Sequence, residues 1–239
     1  PAGTFLGSIL GWRACFGLIS VLTVILIVWV LAKVPDFAGE PAGQRRTLLD
    51  VLKLPGIRPV LGVVLAFVLA HNILYTYVAP FLAGVGMVER TDVVLLVFGM
   101  ASLVSIWAVG MWIDTHLRAL TLLSIVLFAL AASLFWLWRD APLAIYAASA
   151  IWGLAFGGCA TLFQTANANA AGPAADLAQS MLVTMWNAAI AGGGLAGGLL
   201  LERFGAASLA PSLLVLIAIA WGLAFAARGH GFPTRTLSS

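Results

Sequence analysis

The chain has 239 residues, of which 62% are hydrophobic and only 9% charged, with a mean hydropathy of +1.08 and a formal net charge of +3. Ordinary soluble domains carry about 25% charged residues, so the composition excludes a soluble globular fold and indicates an integral membrane protein. The charge is small and scattered, with no basic face interleaved with aromatics, which excludes a nucleic-acid partner.

The apolar runs are long and do not alternate. Helices of about 20 residues, rather than barrel strands of about 10, therefore cross the roughly 30 Å hydrocarbon core. The expected fold class is all-α and integral to the membrane, with the lipid bilayer as its first partner. Cys15 and Cys159 lie inside apolar runs and behave as small hydrophobes, so they supply no disulfide or metal framework. No cofactor is expected. The first residue is Pro1 and the chain opens partway through an apolar stretch, which reads as a cut N-terminus and a fragment of a longer parent.

Residues 1–11 are too short to span and read as the last turns of a helix. Gly11, Trp12 and Arg13 mark an interfacial turn, and residues 14–32 form the first complete span, closed by Lys33. Residues 33–58 are the longest polar stretch, punctuated by Pro35, Pro41, Gly43 and Pro55, and read as a linker. Within it residues 47–54 are either a short surface helix capped by Thr47 and stopped by Pro55 and Gly56, or simple flexible connection. Residues 59–81 span next and carry His71, Asn72, Tyr75, Thr76 and Tyr77 toward their end. Residues 93–113 and 119–138 follow, joined by a hairpin tip over residues 110–118. Residues 141–163 form another span. The polar stretch 164–176 is a loop or a helix extension. Residues 177–201 and 204–227 complete seven spans and one stub, before a polar tail at 228–239.

Cation counting over the short loops sets the orientation. One side holds Lys33, Arg45, Arg46, Lys53, Arg58, Arg118, Arg228 and Arg235; the other holds Arg13, Arg90, Arg139 and Arg203. The linker, the hairpin and the C-terminus are thus expected in the cytoplasm.

No span contains a charged residue. A membrane metalloenzyme needs His and carboxylate clusters and an intramembrane serine hydrolase needs a Ser and His pair in facing helices, so the reading is against an enzyme. Polar residues at depth are the remaining candidates. His71, Asn72 and Tyr75 make a patch that lipid penalises, facing either a watery cavity or another helix. Ser180, Thr184 and Asn187 share a stripe that Ala191, Gly194 and Gly198 continue, and for Asn187 a cavity role and an interhelical bond stand side by side. Gly193 with Gly197 and Gly194 with Gly198 form overlapping small-residue motifs for close helix packing, as do Gly153 with Gly157. Gly110 is expected to let a helix end lie close to a neighbour, and Asp114 to cap a helix or pair with a cation. A second copy of this pattern appears at Gly198, Glu202, Arg203 and Gly205, three spans away, as inverted three-helix repeats require.

These residues together resemble the major facilitator superfamily. Pro1 to Thr4, then Gly11, Trp12 and Arg13, resemble the end of the fifth helix, with its antiporter motif, and the turn into the sixth. Gly110 and Asp114 resemble the second-half copy of the loop signature, although Thr115 replaces its Arg and Arg118 is the nearest later cation. The stretch from Ala175 through Asn187 to Gly198 resembles the eleventh helix of the drug-efflux branch, the arabinose efflux permease group in particular.

The resemblance implies a division into residues 1–32, the end of an N-terminal six-helix half; 33–58, the cytoplasmic linker; 59–227, the C-terminal six-helix half; and 228–239, a cytoplasmic tail. It implies a multi-pass protein of the bacterial inner membrane that exports small organic compounds such as drugs, sugars or metabolites by alternating access. The proton is the implied coupling ion, its acids lying in the N-terminal half, which is the fragment's missing partner. His71, Asn72, Tyr75, Thr184 and Asn187 are then substrate-cavity candidates, and Gly110, Asp114 and Arg118 a gating loop. The alternative is a sensor or assembly module that keeps the bundle without transporting.

Overall fold

The computed structural model describes residues 11–35 and 47–233, without the side chain of Trp12. The stub and antiporter-like residues 1–10, the linker residues 36–46 and the end of the tail with Arg235 lie outside the described residues. The chain divides into two units, Pro1–Arg45 and Arg46–Ser239.

In the first unit α1 covers Trp12–Lys33, and the most apolar window of this helix has a mean hydropathy of 2.8 with no residue buried. Ser20 and Thr23 donate their hydroxyls to the carbonyls of Phe16 and Ile19, at 2.9 and 2.8 Å. Such back-bonding hides the two polar groups, leaving an apolar cylinder suited to hydrocarbon contact.

The second unit begins with α2, Leu48–Leu52, the surface helix that was one of the two readings of residues 47–54. Thr47 Oγ1 accepts from the amide of Asp50, and Asp50 Oδ2 accepts from the amide of Thr47, both at 3.2 Å. This reciprocal cap satisfies two orphan donors and makes a one-turn helix tenable. Gly56, at φ +96°, turns the chain into α3, Ile57–Thr76, more than half of whose residues are buried. It is the central post of the unit. A break at Tyr77 leads to α4, Val78–Ala83.

Next comes α5, Thr91–Leu137, whose only non-helical residue is His116, at φ −126° and ψ 24°. A straight helix would place Phe98 and Phe135 about 55 Å apart at about 1.5 Å per residue. Both instead pack on one ring: Phe98 lies 4.3 Å and Phe135 6.4 Å, between centroids, from Trp152. The helix therefore folds back on itself at His116, which is the expected hairpin tip closed almost without a loop.

The span expected as continuous over 141–163 is broken. It divides at Gly157 and Gly158 into α6, Pro142–Phe156, and α7, Cys159–Ala171. The second piece runs through the polar residues beyond 163, so that stretch is a helix extension. After Gly172 the chain doubles back into α8, Ala175–Phe204, bringing Trp186 to 6.3 and 6.4 Å from Phe156 and Phe163. The last helix, α9, is Leu209–Ala226. Among the described residues five helical segments are long and apolar enough to cross a membrane, and the two longest, of 50 and 63 residues, are the ones that double back.

Glycine decides the closest approaches. A Cβ on Gly153 would strike the Phe98 carbonyl, one on Gly157 the Ser102 backbone, and one on Gly193 would lie 2.6 Å from Asn72 Cβ. Gly197 and Gly198 meet Tyr77 in the same way. One expectation needs correction: Gly110 is exposed, and a Cβ there would meet nothing within 4 Å. On α8 the buried series is Ala178, Leu182, Ala189, Gly193 and Gly197, one to two residues off the stripe from Ser180 to Gly198; a Cβ on Gly194 would also find room, although the Gly194 carbonyl takes a bond from Tyr77.

At the hairpin end of the unit Arg118 Nη1 donates to the carbonyls of Ala224 (3.1 Å) and Phe232 (2.8 Å), and Nη2 to that of Phe225 (3.3 Å). A helix C-terminus has orphan carbonyls and partial negative charge, and this guanidinium answers both. Phe232 is buried, and Gly231 lies so close to Gly56 that a Cβ on Gly56 would sit 2.6 Å from the Gly231 nitrogen. The hairpin, the end of α9 and the start of α3 thus converge.

Candidate functional site

The polar residues expected at depth fall into a largely buried set and an open set, and α3 contributes to both. His71 is 7% exposed, its ring stacked on Phe156 with centroids 3.3 Å apart and planes within 7°. Trp152 donates its indole N–H to His71 Nδ1 at 3.1 Å. Tyr75 and Phe98 close the cluster at 5.4 and 5.8 Å from the imidazole. Tyr75, one turn on from His71, is 47% exposed and carries the cluster to the surface.

The open set lies on α8. Ser180, Thr184 and Asn187 are all exposed. Each bonds back to its own helix: Ser180 to the Leu177 carbonyl, Thr184 to that of Ser180 and Asn187 Nδ2 to that of Val183, at 2.8 to 2.9 Å. Asn72, half-buried against Gly193, does the same toward Val68 at 2.9 Å. The interhelical bonds considered for His71 and Asn187 divide accordingly: His71 makes one, and Asn187 has none among the described residues. The side-chain carbonyls of Asn72 and Asn187 keep their acceptor capacity.

The two sets meet through aromatic rings. Phe156 stacks on His71 and reaches Trp186, which precedes Asn187. The ring cluster of α3 and α6 thus reaches α8 at the residue before the exposed Asn187. Two hollows of about 280 and 300 Å³ lie elsewhere, one beside Trp112, His116 and Leu120 at the hairpin, the other between α5 and α9 against Ile125, Leu214 and Trp221.

The gating-loop candidates do not assemble into one site. Asp114 and Gly110 are exposed on the hairpin, while Arg118, half-buried, is committed to the carbonyls of Ala224, Phe225 and Phe232. All described carboxylates are exposed, and no described His, Cys, Asp and Glu group could hold a metal. Sequence reasoning passed over Trp152, Phe156, Phe98 and Trp186. Trp152 carried a signal: tryptophan prefers the interface, so one in the middle of a span has an indole N–H in need of a partner. Tyr77 donates its hydroxyl to the Gly194 carbonyl at 2.7 Å, tying α3 to α8. Asn167 is fully buried on α7.

A sequence profile described as the Major Facilitator Superfamily matches residues 1–186. Among curated proteins, purine ribonucleoside efflux pumps named NepI from Salmonella paratyphi C, Salmonella typhimurium and Salmonella typhi are each 29% identical over 225 residues. That alignment takes in 92% of this chain and 56% of each relative, so the chain spans about half the length of the curated proteins it matches. With its all-helical, multi-pass architecture and a profile match over more than half its length, the chain belongs to the Major Facilitator Superfamily, a family of membrane transporters rather than enzymes.

Proposed function

We propose that the chain is the C-terminal half, with the end of the N-terminal half, of a secondary exporter of small organic compounds, and that purine ribonucleosides or similar planar polar molecules are its cargo. One observation carries this reading: the ring cluster of α3 and α6 reaches α8 at Trp186, the residue before the exposed Asn187. A nucleoside offers a flat heterocycle to Tyr75 and Phe98 and hydroxyls to Thr184, Asn187 and Asn72, and sites of this kind pair apolar walls with a few placed polar groups. The names of the relatives support export, and those of purine ribonucleosides in particular.

The face bearing these residues meets the other six-helix half, and the two rock around the midplane. The proton is the coupling ion, and because every described carboxylate of this half is exposed, the coupling acid belongs to the other half. The protein resides in the bacterial inner membrane, with linker, hairpin and C-terminus cytoplasmic. Asp114 is the gate contact of the hairpin. Asp114→Asn lowers transport while membrane abundance stays within a factor of about two, as expected of an exposed side chain whose loss perturbs stability little.

Full-length protein in inverted membrane vesicles tests the proposal. A pH gradient, acidic inside, is expected to drive uptake of radiolabelled adenosine or guanosine, and the uptake collapses with the gradient. No gradient-driven uptake of any ribonucleoside sinks it.

A further inference from the structure

We infer that Trp152 is a positioning residue: its indole N–H fixes His71 as the neutral imidazole that carries its proton on Nε2, and so makes His71 a one-way hydrogen-bond donor to the cargo. The inference rests on the export reading above and adds the polarity of one contact.

Indole nitrogen is donor-only, so the 3.1 Å bond requires a lone pair on His71 Nδ1. With Nδ1 accepting, the neutral ring has its hydrogen on Nε2, and the usual ambiguity of histidine tautomers is removed by the chemistry of the partner. A ring flipped about Cβ–Cγ would turn Cδ2 toward Trp152 and lose the bond, and Phe156, Trp152, Phe98 and Tyr75 pack around the ring in the bonded orientation. None of these neighbours is charged. Nε2 has no hydrogen-bond partner among the described residues, and His71 keeps 7% of its surface exposed, in the cluster that Tyr75 carries to the surface. A donor at the rim of a ring cluster selects a cargo that presents an acceptor at the edge of a planar system, such as a ring nitrogen or carbonyl of a nucleobase. Donor-only analogues are left with unpaired groups, which is where hydrogen-bonding sites discriminate most strongly.

The experiment combines a spectrum with transport, using the full-length protein in bilayers. With 15N-labelled histidine, the signal assigned by its loss in His71→Gln is expected to be that of a neutral, Nε2-protonated ring at pH 7. Trp152→Phe is expected to convert it to a mixture with the Nδ1-protonated form. In the vesicle assay with adenosine, Trp152→Phe and His71→Phe raise KM about three- to tenfold while kcat changes less than twofold, the range of one neutral hydrogen bond. His71→Gln, which keeps a donor and an acceptor, restores KM to within about threefold of the parent. A wild-type spectrum of an Nδ1-protonated or doubly protonated His71 overturns the inference even if Trp152→Phe fails to fold. Intact transport with KM unmoved in both His71→Phe and Trp152→Phe overturns it while leaving the export reading standing. Absence of uptake by the parent overturns the export reading, and the role of Nε2 toward cargo falls with it.

Discussion

Two faces of the second unit are exposed and chemically different. On α5 and α9 the exposed residues along the spans include Leu123, Val126, Leu130, Val215, Ile219 and Phe225; on α3 and α8 exposed apolar residues such as Val183, Ile190 and Leu195 are joined by Tyr75, Thr76, Ser180, Thr184 and Asn187. Hydrocarbon accepts the first set without cost and penalises the polar members of the second, because it offers no hydrogen bonds. Exposure alone therefore does not say what a membrane helix faces. The residue types on the exposed stripe do, and on the export reading proposed above they mark a lipid side and a side reserved for water, cargo or the other half.

That division can be broken by exchanging polarity. Val215→Asp, near the middle of α9, places a carboxylate in hydrocarbon at a cost of about 2.5–3.5 kcal/mol, so membrane abundance and thermal stability in detergent are expected to fall sharply. Asn187→Asp, at comparable depth on α8, should change either quantity little. Equal damage at both positions would erase the distinction between the faces.

The next largest effect sharpens it. Gly193→Val pushes α8 off Asn72 and costs about 1–3 kcal/mol of overpacking, whereas Gly194→Ala, one residue on and facing open space, is tolerated; detergent melting curves separate the two. Tyr77→Phe removes the hydroxyl bonded to Gly194 and should lower stability by about 1 kcal/mol, as one hydrogen bond does. Smallest of all in stability, within about 0.5 kcal/mol, is Asn187→Ala, whose signature is a changed KM for cargo in the vesicle assay.

Much of this architecture was legible because hydropathy and punctuation are local. The short charged interruption around Asp114 marked the fold-back at His116, Thr47 marked the cap of α2 in one of two readings of that stretch, and Gly153 with Gly157 marked a close approach. What escaped depends on rotation about helix axes and on partners far away in sequence. The stripe from Ser180 to Gly198 is exposed as far as Ala191 and half-buried at Gly194 and Gly198, which meet Tyr77; small residues occur at Gly192, Gly193, Gly194, Gly197 and Gly198, so spacing alone could not choose the packing register that Asn72 and Tyr77 select. The break at Gly157 and Gly158 was masked by an uninterrupted apolar run. His71 was visible as a polar residue at depth, while its partner Trp152 lies 81 residues away and only the folded chain brings them together. Arg118 stood out as a loop cation, but nothing nearby pointed to the carbonyls of Ala224 and Phe232.

The meeting of Arg118, Phe232 and Gly56 has a mechanical consequence. Gly56 is where the chain enters α3, and it is wedged against Gly231 while Arg118 grips the end of α9 and the Phe232 carbonyl. A pull on the chain just ahead of α3 is thus shared among three helix ends instead of peeling α3 away alone. The foot of the unit works as a clasp: load enters at one residue and leaves through the whole block.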